Sequence, residues 1–376
     1  MGYRVGLLTT YVSKTIGTGL YNEQDVGLAK ALSTYFTDVV IYRYKKIGAQ
    51  IDTELLTSNN KIQIKYIPMH NIGVNGIINC TLLDNSLDLM VYFTDIQLSI
   101  PLVSYWAKRN KVPLLFYIGT TSSRSDSRVV RFLMNTYFNA VKGNIKCNIC
   151  LAKTNYVYYE LLRFNVKQVL LAPVGLDLDL LNIDFKKQDR DKLRLKYGYK
   201  PSDFVVIFVG RLVEEKRPLD LIKIIAPLLK TRLGMKLIIV GNGDQEVKLI
   251  GLIQLLKLDG SVKLIREIQN SDIWELYYIS DRYVNLNKRE IFGMSILEAM
   301  YYNCTVIAHS APGPDYIIQN EVTGWLFEDD LQLSDILQKS IPLVTQGYII
   351  KNFTWETAAK RIMEVYSENI PVSAKM

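Results

Sequence analysis

The segment EIFGMSILE, residues 290–298, places two carboxylates eight positions apart around a Phe-Gly pair. The residues before it, DRYVNLN (281–287), are rich in the β-branched and aromatic types of a buried strand, and SILEAMYYN (295–303) has apolar residues at helical spacing. The segment is therefore predicted to be a loop from a strand into a helix. Such loops bind anions in α/β proteins, because free N–H groups and the helix dipole favour negative charge. Taken alone, Glu290 and Glu298 also fit a helix-end charge and a solvated side chain, and both interpretations stay open.

Length and composition predict two well-packed domains in a reducing compartment. The chain has 376 residues, 49% of them hydrophobic, which is more than one typical core holds. It lacks a secretory signal pattern and an uninterrupted apolar run of about 18 residues, so a cytoplasmic location is expected. Cys147 and Cys150 have metal-site spacing, but without a second such pair a core strand is the favoured interpretation.

Strand-like and helix-like patterns alternate through both halves, as in a parallel sheet covered on both faces. The alternation breaks around PVGLDLDLLNIDFKK (173–187), where the interdomain linker is placed. Asp177 and Asp179 form a D-x-D triplet there, and its position in the linker argues against a metal site. In the second half DFVVIFVG (203–210) is predicted to be a strand, and Arg211 and Lys216 follow it, where two cations can bind a diphosphate.

The positive charge is concentrated in the first half of the chain. Residues 1–180 carry 19 Lys and Arg against 12 Asp and Glu, whereas the remainder carries 26 against 25. The segment RSDSRVVRFLMNTYFNAVK is predicted to be a helix with a basic stripe that either lies on an anionic membrane or faces solvent. No DNA- or RNA-binding motif accompanies the charge, so nucleic acid is not an expected partner. The stripe consists of Arg124, Arg128, Arg131 and Lys142.

Four motifs of the second half, taken in order, resemble the retaining glycosyltransferases of family 4. VGRLVEEKRPLDLI is similar to the family's Gly-Arg-Leu and Lys loop, and IIVGNGD to its Gly-x-Gly strand end. EIFGMSILEAM matches the E-x7-E signature, and APGPDYIIQNEVTGWLF matches its Gly-Pro and Thr-Gly segment. The strong likeness runs from Gly210 to Phe327.

The resemblance implies the glycosyltransferase-B fold, an α/β architecture of two facing Rossmann-like domains with a central cleft. The expected divisions are an acceptor-binding domain at 1–178, a nucleotide-sugar-binding domain at 179–352, and a C-terminal helix at 353–376 that crosses back to the first domain.

The resemblance also implies roles for individual residues. Arg211, Lys216 and Glu290 are the expected catalytic residues, with the two cations on the donor diphosphate and Glu290 on the transferred sugar. Glu298 is expected to bind the ribose. The full expected donor site consists of Gly17, Thr18, Gly19, Gly210, Arg211, Lys216, Ile265, Arg266, Glu290, Ile291, Phe292, Gly293, Met294 and Glu298.

The sequence departs from the family at two places. Many members carry a His near the position of Gly119, and here the segment reads YIGTTSSRSD. Asp95, Thr120, Thr121 and Ser122 are the acceptor-side candidates instead, and ordinary polar loop residues are an equally good interpretation of them. The family's Pro-Ser before the signature is replaced by Leu286 and Asn287, with little consequence expected.

The expected function is that of a metal-independent enzyme of the EC 2.4 class that transfers a sugar, with retention, from a nucleotide-diphosphate sugar. A UDP-sugar donor and no further cofactor are expected. The acceptor is a saccharide or a lipid-linked saccharide for surface polysaccharide or glycoconjugate assembly, reached from the cytoplasm or from the inner face of the membrane. The alternatives are a catalytically silent nucleotide-sugar-binding partner of another transferase and a different sugar-phosphate enzyme on the same fold.

Overall fold

The computed structural model describes residues 3–12, 23–56, 61–123, 125, 127–339 and 344–369. It divides into two compact units, residues 1–175 with 354–376, and residues 176–353. The boundaries thus lie within three residues of the predicted divisions at 178 and 352, and the C-terminal segment groups with the first unit. Within the described part of the chain, no helix is both long enough and apolar enough to cross a bilayer.

The first unit is built on a mixed sheet with strand order β3-β4-β2-β1-β6-β7-β8-β9, and β5 pairs with β4. Its strands are β1 Arg4–Thr9, β2 Asp38–Lys46, β3 Asp52–Leu55, β4 Ile62–Ile72, β5 Asn75–Ile78, β6 Leu89–Phe93, β7 Leu114–Ile118, β8 Ile149–Ala152 and β9 Gln168–Leu171. Its helices are α1 Gln24–Leu32, α2 Ile100–Asn110, α3 Arg128–Lys146, α4 Asn155–Arg163 and, from the C-terminus, α13 Trp355–Asn369.

One edge of this sheet corrects the predicted all-parallel alternation. β3 and β5 both pair with β4 in antiparallel register, and β2 to β4 are not separated by a helix in the described residues. The turn from β4 to β5 contains Gly73 at φ 62°, a left-handed conformation that glycine adopts readily. The remaining strands of the unit pair in parallel.

α13 packs onto the first unit with Trp355 in close contact with two glycines. A Cβ atom at Gly27 in α1 would lie 2.1 Å from Nε1 of Trp355, and one at Gly175 would lie 2.2 Å from the Trp355 amide nitrogen. Trp355 is 1% exposed. These two glycines therefore leave space for the start of the last helix.

The second unit is built on a parallel sheet of order β12-β11-β10-β13-β14-β15. Its strands are β10 Phe204–Val209, β11 Met235–Val240, β12 Val262–Ile265, β13 Arg282–Asn285, β14 Thr305–His309 and β15 Trp325–Phe327. Its helices are α5 Arg190–Lys196, α6 Pro218–Thr231, α7 Glu246–Leu255, α8 Ile273–Ile279, α9 Met294–Tyr301, α10 Pro314–Ile317, α11 Gln332–Ile336 and α12 Gln346–Asn352. Short 3-10 turns occur at Cys80–Leu82, Leu178–Leu180, Phe185–Lys187 and Glu214–Lys216.

The continuous apolar runs of β10 and β11 are buried between helices, as expected for central parallel strands. Because β10 pairs with β13, the loops that leave their carboxyl ends lie side by side. Those two loops contain Arg211, Lys216 and the 290–298 signature.

Candidate functional site

The loops after β10 and β13 meet through an ion pair between Lys216 and Glu290. Nζ of Lys216 lies 2.5 Å from Oε2 of Glu290, although the two residues are 74 positions apart in sequence. Lys216 ends a 3-10 turn, and the left-handed Arg217 and then Pro218 begin α6 behind it. The structure thus brings together two of the three residues predicted to be catalytic.

Two asparagines hold the Glu290 carboxylate in place. The side-chain amides of Asn285 and Asn287 donate to its Oε2 at 3.3 and 3.2 Å. Burial acts to raise the pKa of Glu290, but the Lys216 charge and these hydrogen bonds together hold the pKa below its usual range. The carboxylate is therefore ionised and can accept hydrogen bonds from hydroxyl groups.

The contribution of Asn285 and Asn287 was not predicted from the sequence. Asn287 is 1% exposed, its amide N–H donates to the Asn285 side chain, and its own side-chain oxygen accepts from the Arg289 amide. Asn287, which stands where the family commonly has Ser, thus contacts Glu290 directly. Polar residues at the end of an apolar strand, immediately before the signature, were the available signal.

Glu298 lies in a different environment, just over one turn into α9. It is 6% exposed, and the hydroxyl of Tyr277 donates to it at 2.9 Å. Burial raises its pKa to about 7, and the Tyr277 hydrogen bond opposes that shift only in part. The two glutamates of the signature thus differ in charge near neutral pH, with Glu290 ionised and Glu298 close to its midpoint.

The start of α9 offers unused backbone donors. Gly293 precedes the helix at φ 101°, which favours glycine, and the amides of Met294 and Ser295 make no hydrogen bond within the described part of the chain. Gly313 supports this turn from behind, since a Cβ there would lie 2.1 Å from the carbonyl oxygen of Phe292. The arrangement can bind an anion.

The glycines of the neighbouring loops serve close packing between loops. A Cβ at Gly241 would lie 2.0 Å from the Gly210 carbonyl oxygen, and one at Gly243 would lie 2.4 Å from that of Leu212. These contacts fix the course of the loop after β10. Arg211 is exposed in that loop, and its side chain has no ion-pair partner among the described residues.

Of the other predicted donor residues, Ile265 and Arg266 lie apart from the Lys216–Glu290 pair in sequence and in strand order, whereas Ile291 and Phe292 follow Glu290 directly. Ile265 ends β12, and the next residue, Arg266, is exposed and forms an ion pair with Glu246 at 2.5 Å. Ile291 and Phe292 continue the signature loop towards α9. Gly17, Thr18 and Gly19 lie outside the described residues.

In the first unit, the acceptor-side candidates form a cluster around the loop after β7. Oδ1 of Asp95 accepts from the amides of Gly119 and Thr120 at 2.6 and 3.1 Å. Oγ1 of Thr120 donates to the Ser122 carbonyl at 3.0 Å, and Thr121 is buried. Asp95 thus fixes the loop after β7 through its Oδ1, and its acceptor-side role stays a prediction.

The basic stripe differs from its prediction. α3 begins at Arg128, with the Ser127 side chain as its N-cap, so Arg124 precedes the helix and lies outside the described residues. Arg128, Arg131 and Lys142 are on the helix. The apolar residues of the first two turns are also exposed, at 67% for Val129, 45% for Val130, 69% for Phe132 and 58% for Leu133. This part of α3 is therefore an exposed apolar surface with flanking cations.

The candidate metal motifs have structural explanations. Cys150 is buried in β8, as the core-strand interpretation predicts, whereas Cys147 is exposed at the end of α3. Oδ1 of Asp177 accepts from the Asp179 amide at 3.1 Å in a 3-10 turn. Among the described residues, no cluster of three or more His, Cys, Asp or Glu side chains is suited to hold a metal ion.

Comparison with known sequences finds a family that matches most of the second unit. The family described as "Glycosyl transferases group 1" matches residues 189–346. The alpha-monoglucosyldiacylglycerol synthase of Acholeplasma laidlawii is 22% identical over 60% of this chain and 60% of that protein. The N-acetyl-alpha-D-glucosaminyl L-malate synthase of Bacillus anthracis is 29% identical over 38% of this chain and 36% of its own. The chain thus spans less than two thirds of the length of these relatives.

Solved structures cover nearly the whole chain. HepE of Anabaena, solved in complex with UDP, superposes with a TM-score of 0.73 at 17% identity, over 97% of this chain and 100% of that one. Sucrose-phosphate synthase of Thermosynechococcus elongatus gives 0.72 at 18% identity, over 97% and 98%. These similarities establish the fold. The chain has the α/β GT-B fold, and the part of it that the group 1 glycosyl transferase family matches, residues 189–346, lies within the second unit.

Proposed function

We propose that the chain is a metal-independent retaining glycosyltransferase that moves a sugar from a nucleotide-diphosphate sugar, a UDP-sugar by preference, to a saccharide or lipid-linked acceptor. The observation that carries the proposal is the Lys216–Glu290 pair beside the free amides of α9. A cation, an ionised carboxylate and a helix N-terminus at one sheet edge suit a ligand that is anionic at one end and rich in hydroxyls at the other.

Each group of the cluster has a distinct task in this proposal. Lys216 has three N–H donors, so it can keep Glu290 and still bond a phosphate oxygen. Arg211 and the amides of Met294 and Ser295 face the same leaving group. Because negative charge grows on the diphosphate as the sugar bond breaks, these donors stabilise the transition state more than the ground state.

Glu290 and Glu298 divide the remainder of the donor. The ionised Glu290 accepts hydrogen bonds from the transferred sugar, and Glu298 accepts them from the ribose. Retention follows when the acceptor attacks the face from which the leaving group departs, with a phosphate oxygen accepting the proton. This route needs neither a strong protein base nor a metal ion.

The preference for UDP is supported by HepE, which was solved with UDP and with UDP-glucose. A lipid-linked acceptor is supported by the diacylglycerol in the name of the Acholeplasma relative. The proposed setting is the assembly of a surface polysaccharide or glycoconjugate.

Association with the cytoplasmic face of a membrane belongs to the same proposal. The exposed apolar surface of α3, formed by Val129, Val130, Phe132 and Leu133, is flanked by Arg128 and Arg131. Apolar side chains can enter the boundary between headgroups and acyl chains while the cations stay near anionic lipid. This surface would hold the first unit where a lipid-linked acceptor is presented.

The activity is tested by measuring nucleotide diphosphate release from UDP-glucose, UDP-N-acetylglucosamine and GDP-mannose with the purified chain. We expect turnover of at least one donor, and a loss of about 10²- to 10³-fold in kcat for Lys216→Ala, the size typical for one lost charge stabiliser. Lys248→Ala, at an exposed position of α7, is the matched control and should retain full rate. Equal rates for Lys216→Ala and wild type would refute the assignment, and the absence of any turnover would favour a catalytically silent binding partner.

A further inference from the structure

A cavity lies at the amino edge of the first unit's sheet, and none of the predicted donor or acceptor residues lines it. Its volume is about 870 Å³, and its lining comes from the starts of β6, β7, β8 and β9, from the end of α3 and from Tyr366 of α13. All of these belong to the first unit. Sheets of this class bind their substrates at the opposite, carboxyl edge, where Asp95 and Thr120 follow β6 and β7. A ligand in this cavity would therefore be separate from the acceptor.

Much of the lining is apolar. Leu89, Leu114 and Leu115 contribute buried side chains from the first residues of β6 and β7. The ring of Tyr366 also lines the cavity and packs edge-on against Phe36, with 5.7 Å between the ring centroids. A ring held in this way offers a fixed aromatic surface to a flat apolar ligand.

Two lysines of the lining have no anionic partner. Lys146 is the last residue of α3, and Lys167 comes just before β9. The parallel pairing of β8 with β9, which sets Ile149 opposite Gln168, brings the residues before both strands to the same edge. Neither lysine side chain forms an ion pair or a hydrogen bond with another described residue. The dipole of α3 favours a cation at its end, but Lys167 lies on no helix.

The surrounding carboxylates do not neutralise these lysines. Within the described part of the chain, no Asp or Glu lines the cavity. Asp88, just before β6, is buried and accepts from a backbone amide at 2.7 Å. Glu364 and Glu368 are exposed and lie two positions from the tyrosine on α13, so they point away from its side of the helix. The lining therefore carries an excess of two positive charges.

Neutral hydrogen-bond donors are part of the same lining. The side chain of Asn165 and the hydroxyl of Tyr366 form no hydrogen bond with the described residues. Asn148 uses one of its two amide N–H groups on the Asn144 carbonyl at 2.6 Å and keeps the other. Together with the ammonium groups of the lysines, these donors suit the terminal oxygens of a phosphate group.

We propose that this cavity binds a phosphate monoester with a flat apolar body, whose phosphate contacts Lys146 and Lys167 and whose body lies against Tyr366. A monoester suits two unpaired lysines because it carries about 1.5 to 2 negative charges near neutral pH. A carboxylate carries only one, and inorganic phosphate has no apolar part to cover the leucines. The inference goes beyond the proposed function, because the site shares no residue with the donor or acceptor assignments.

Isothermal titration calorimetry of the full chain with naphthyl phosphate tests the site at low salt, with saturating UDP present so that a nucleotide-diphosphate site is filled. We expect a Kd of about 1 mM or lower. Lys146→Met and Lys167→Met should each raise that Kd by about fivefold to tenfold, because each removes a charge-assisted hydrogen bond. Lys167→Arg keeps the charge and should restore most of the affinity. Lys46→Met, at the exposed end of β2, is the matched control and should bind as the wild type does.

Alkylation of Cys147 gives a second readout at the cavity itself. Cys147 lines the cavity and is exposed, whereas Cys150 and Cys304 are buried. Naphthyl phosphate should slow the reaction of Cys147 with iodoacetamide, followed by mass spectrometry of the modified peptide, because the ligand covers the thiol. UDP alone should leave that reaction rate unchanged.

Several results would overturn the assignment. These are no binding of naphthyl phosphate to the wild type, equal affinity for inorganic phosphate or for naphthol, wild-type affinity in both Met variants, and no protection of Cys147. Thermal unfolding excludes a structural cause for weaker binding, since Lys146 and Lys167 have no ion pair to lose and the Tm of both variants should equal that of wild type. Donor turnover plays no part in these measurements, so an inactive chain would leave the cavity assignment intact.

Discussion

Replacement of Glu298 by Gln should change the way in which stability depends on pH. The folded pKa of Glu298 is about 7 against an ordinary value of 4.5, so folding favours its neutral form. The stabilising contribution of that protonated state is complete below pH 4.5, falls progressively as the pH rises from 4.5 to 7, and is absent above pH 7. A difference of about 2.5 pKa units corresponds to about 3 kcal/mol. Gln cannot ionise, so the unfolding free energy of Glu298→Gln should exceed that of wild type by about 1 kcal/mol at pH 5 and by about 3 kcal/mol at pH 8.

Equilibrium urea unfolding between pH 5 and 8 measures this difference. Trp106 and Trp355 are replaced by Phe in both proteins, so that Trp274 and Trp325 report on the second unit. Two parallel pH profiles would refute the claim that a buried, titrating carboxylate lies at position 298.

Glu290→Gln is the matched control for the same experiment. Although burial acts to raise the pKa of Glu290, Lys216 and the two asparagines hold it below its usual range. Its stabilising contribution is therefore lost only as the pH falls below about 4.5, and the profile of this variant should run parallel to wild type from pH 5 to 8.

Three further predictions concern the turn, the amide clamp and the membrane surface. Gly313→Ala places a Cβ against the Phe292 carbonyl and should lower the free energy of unfolding by about 1 to 3 kcal/mol. Gly251→Ala in α7 is the control, because a Cβ there meets open space, and it should raise the free energy of unfolding by about 0.5 to 1 kcal/mol. Urea unfolding measures both changes. Asn287→Ala removes one of the amides on Glu290 and should lower kcat for donor turnover more than it raises KM, and an effect on KM alone would contradict this role. Phe132→Ser should reduce sedimentation with anionic vesicles at low salt and leave Tm unchanged, because the side chain is 69% exposed; equal sedimentation would exclude α3 as the membrane surface.

The elements that could be predicted from the sequence are those with strong periodicity. The strands β10 and β11 and the strand-to-helix junction before α9 could be predicted, because buried parallel strands consist mainly of apolar residues. The edge strands β3, β4 and β5 could not be, since β3 is exposed throughout and β4 alternates buried with half-buried residues over only part of its length.

The candidate site, too, could be predicted from the sequence only in part. The signature and its preceding cations could be identified from the sequence, but their contact could not, because it depends on the adjacency of β10 and β13. The different protonation of Glu290 and Glu298 depends on what surrounds each carboxylate, namely Lys216 in one case and Tyr277 in the other. Likewise, Lys153 was not predicted to be a site residue. Its side chain lies in the space beside Gly119 that a side chain at position 119 would occupy.

The most direct test of the central claim is the anomeric configuration of the product, determined by NMR after reaction with an α-linked UDP-sugar and a saccharide acceptor. We expect an α-linked product from the wild type and no detectable product from Glu290→Ala. A β-linked product, or equal yields from the two proteins, would contradict the claim that the Lys216–Glu290 cluster is the donor site of a retaining transferase.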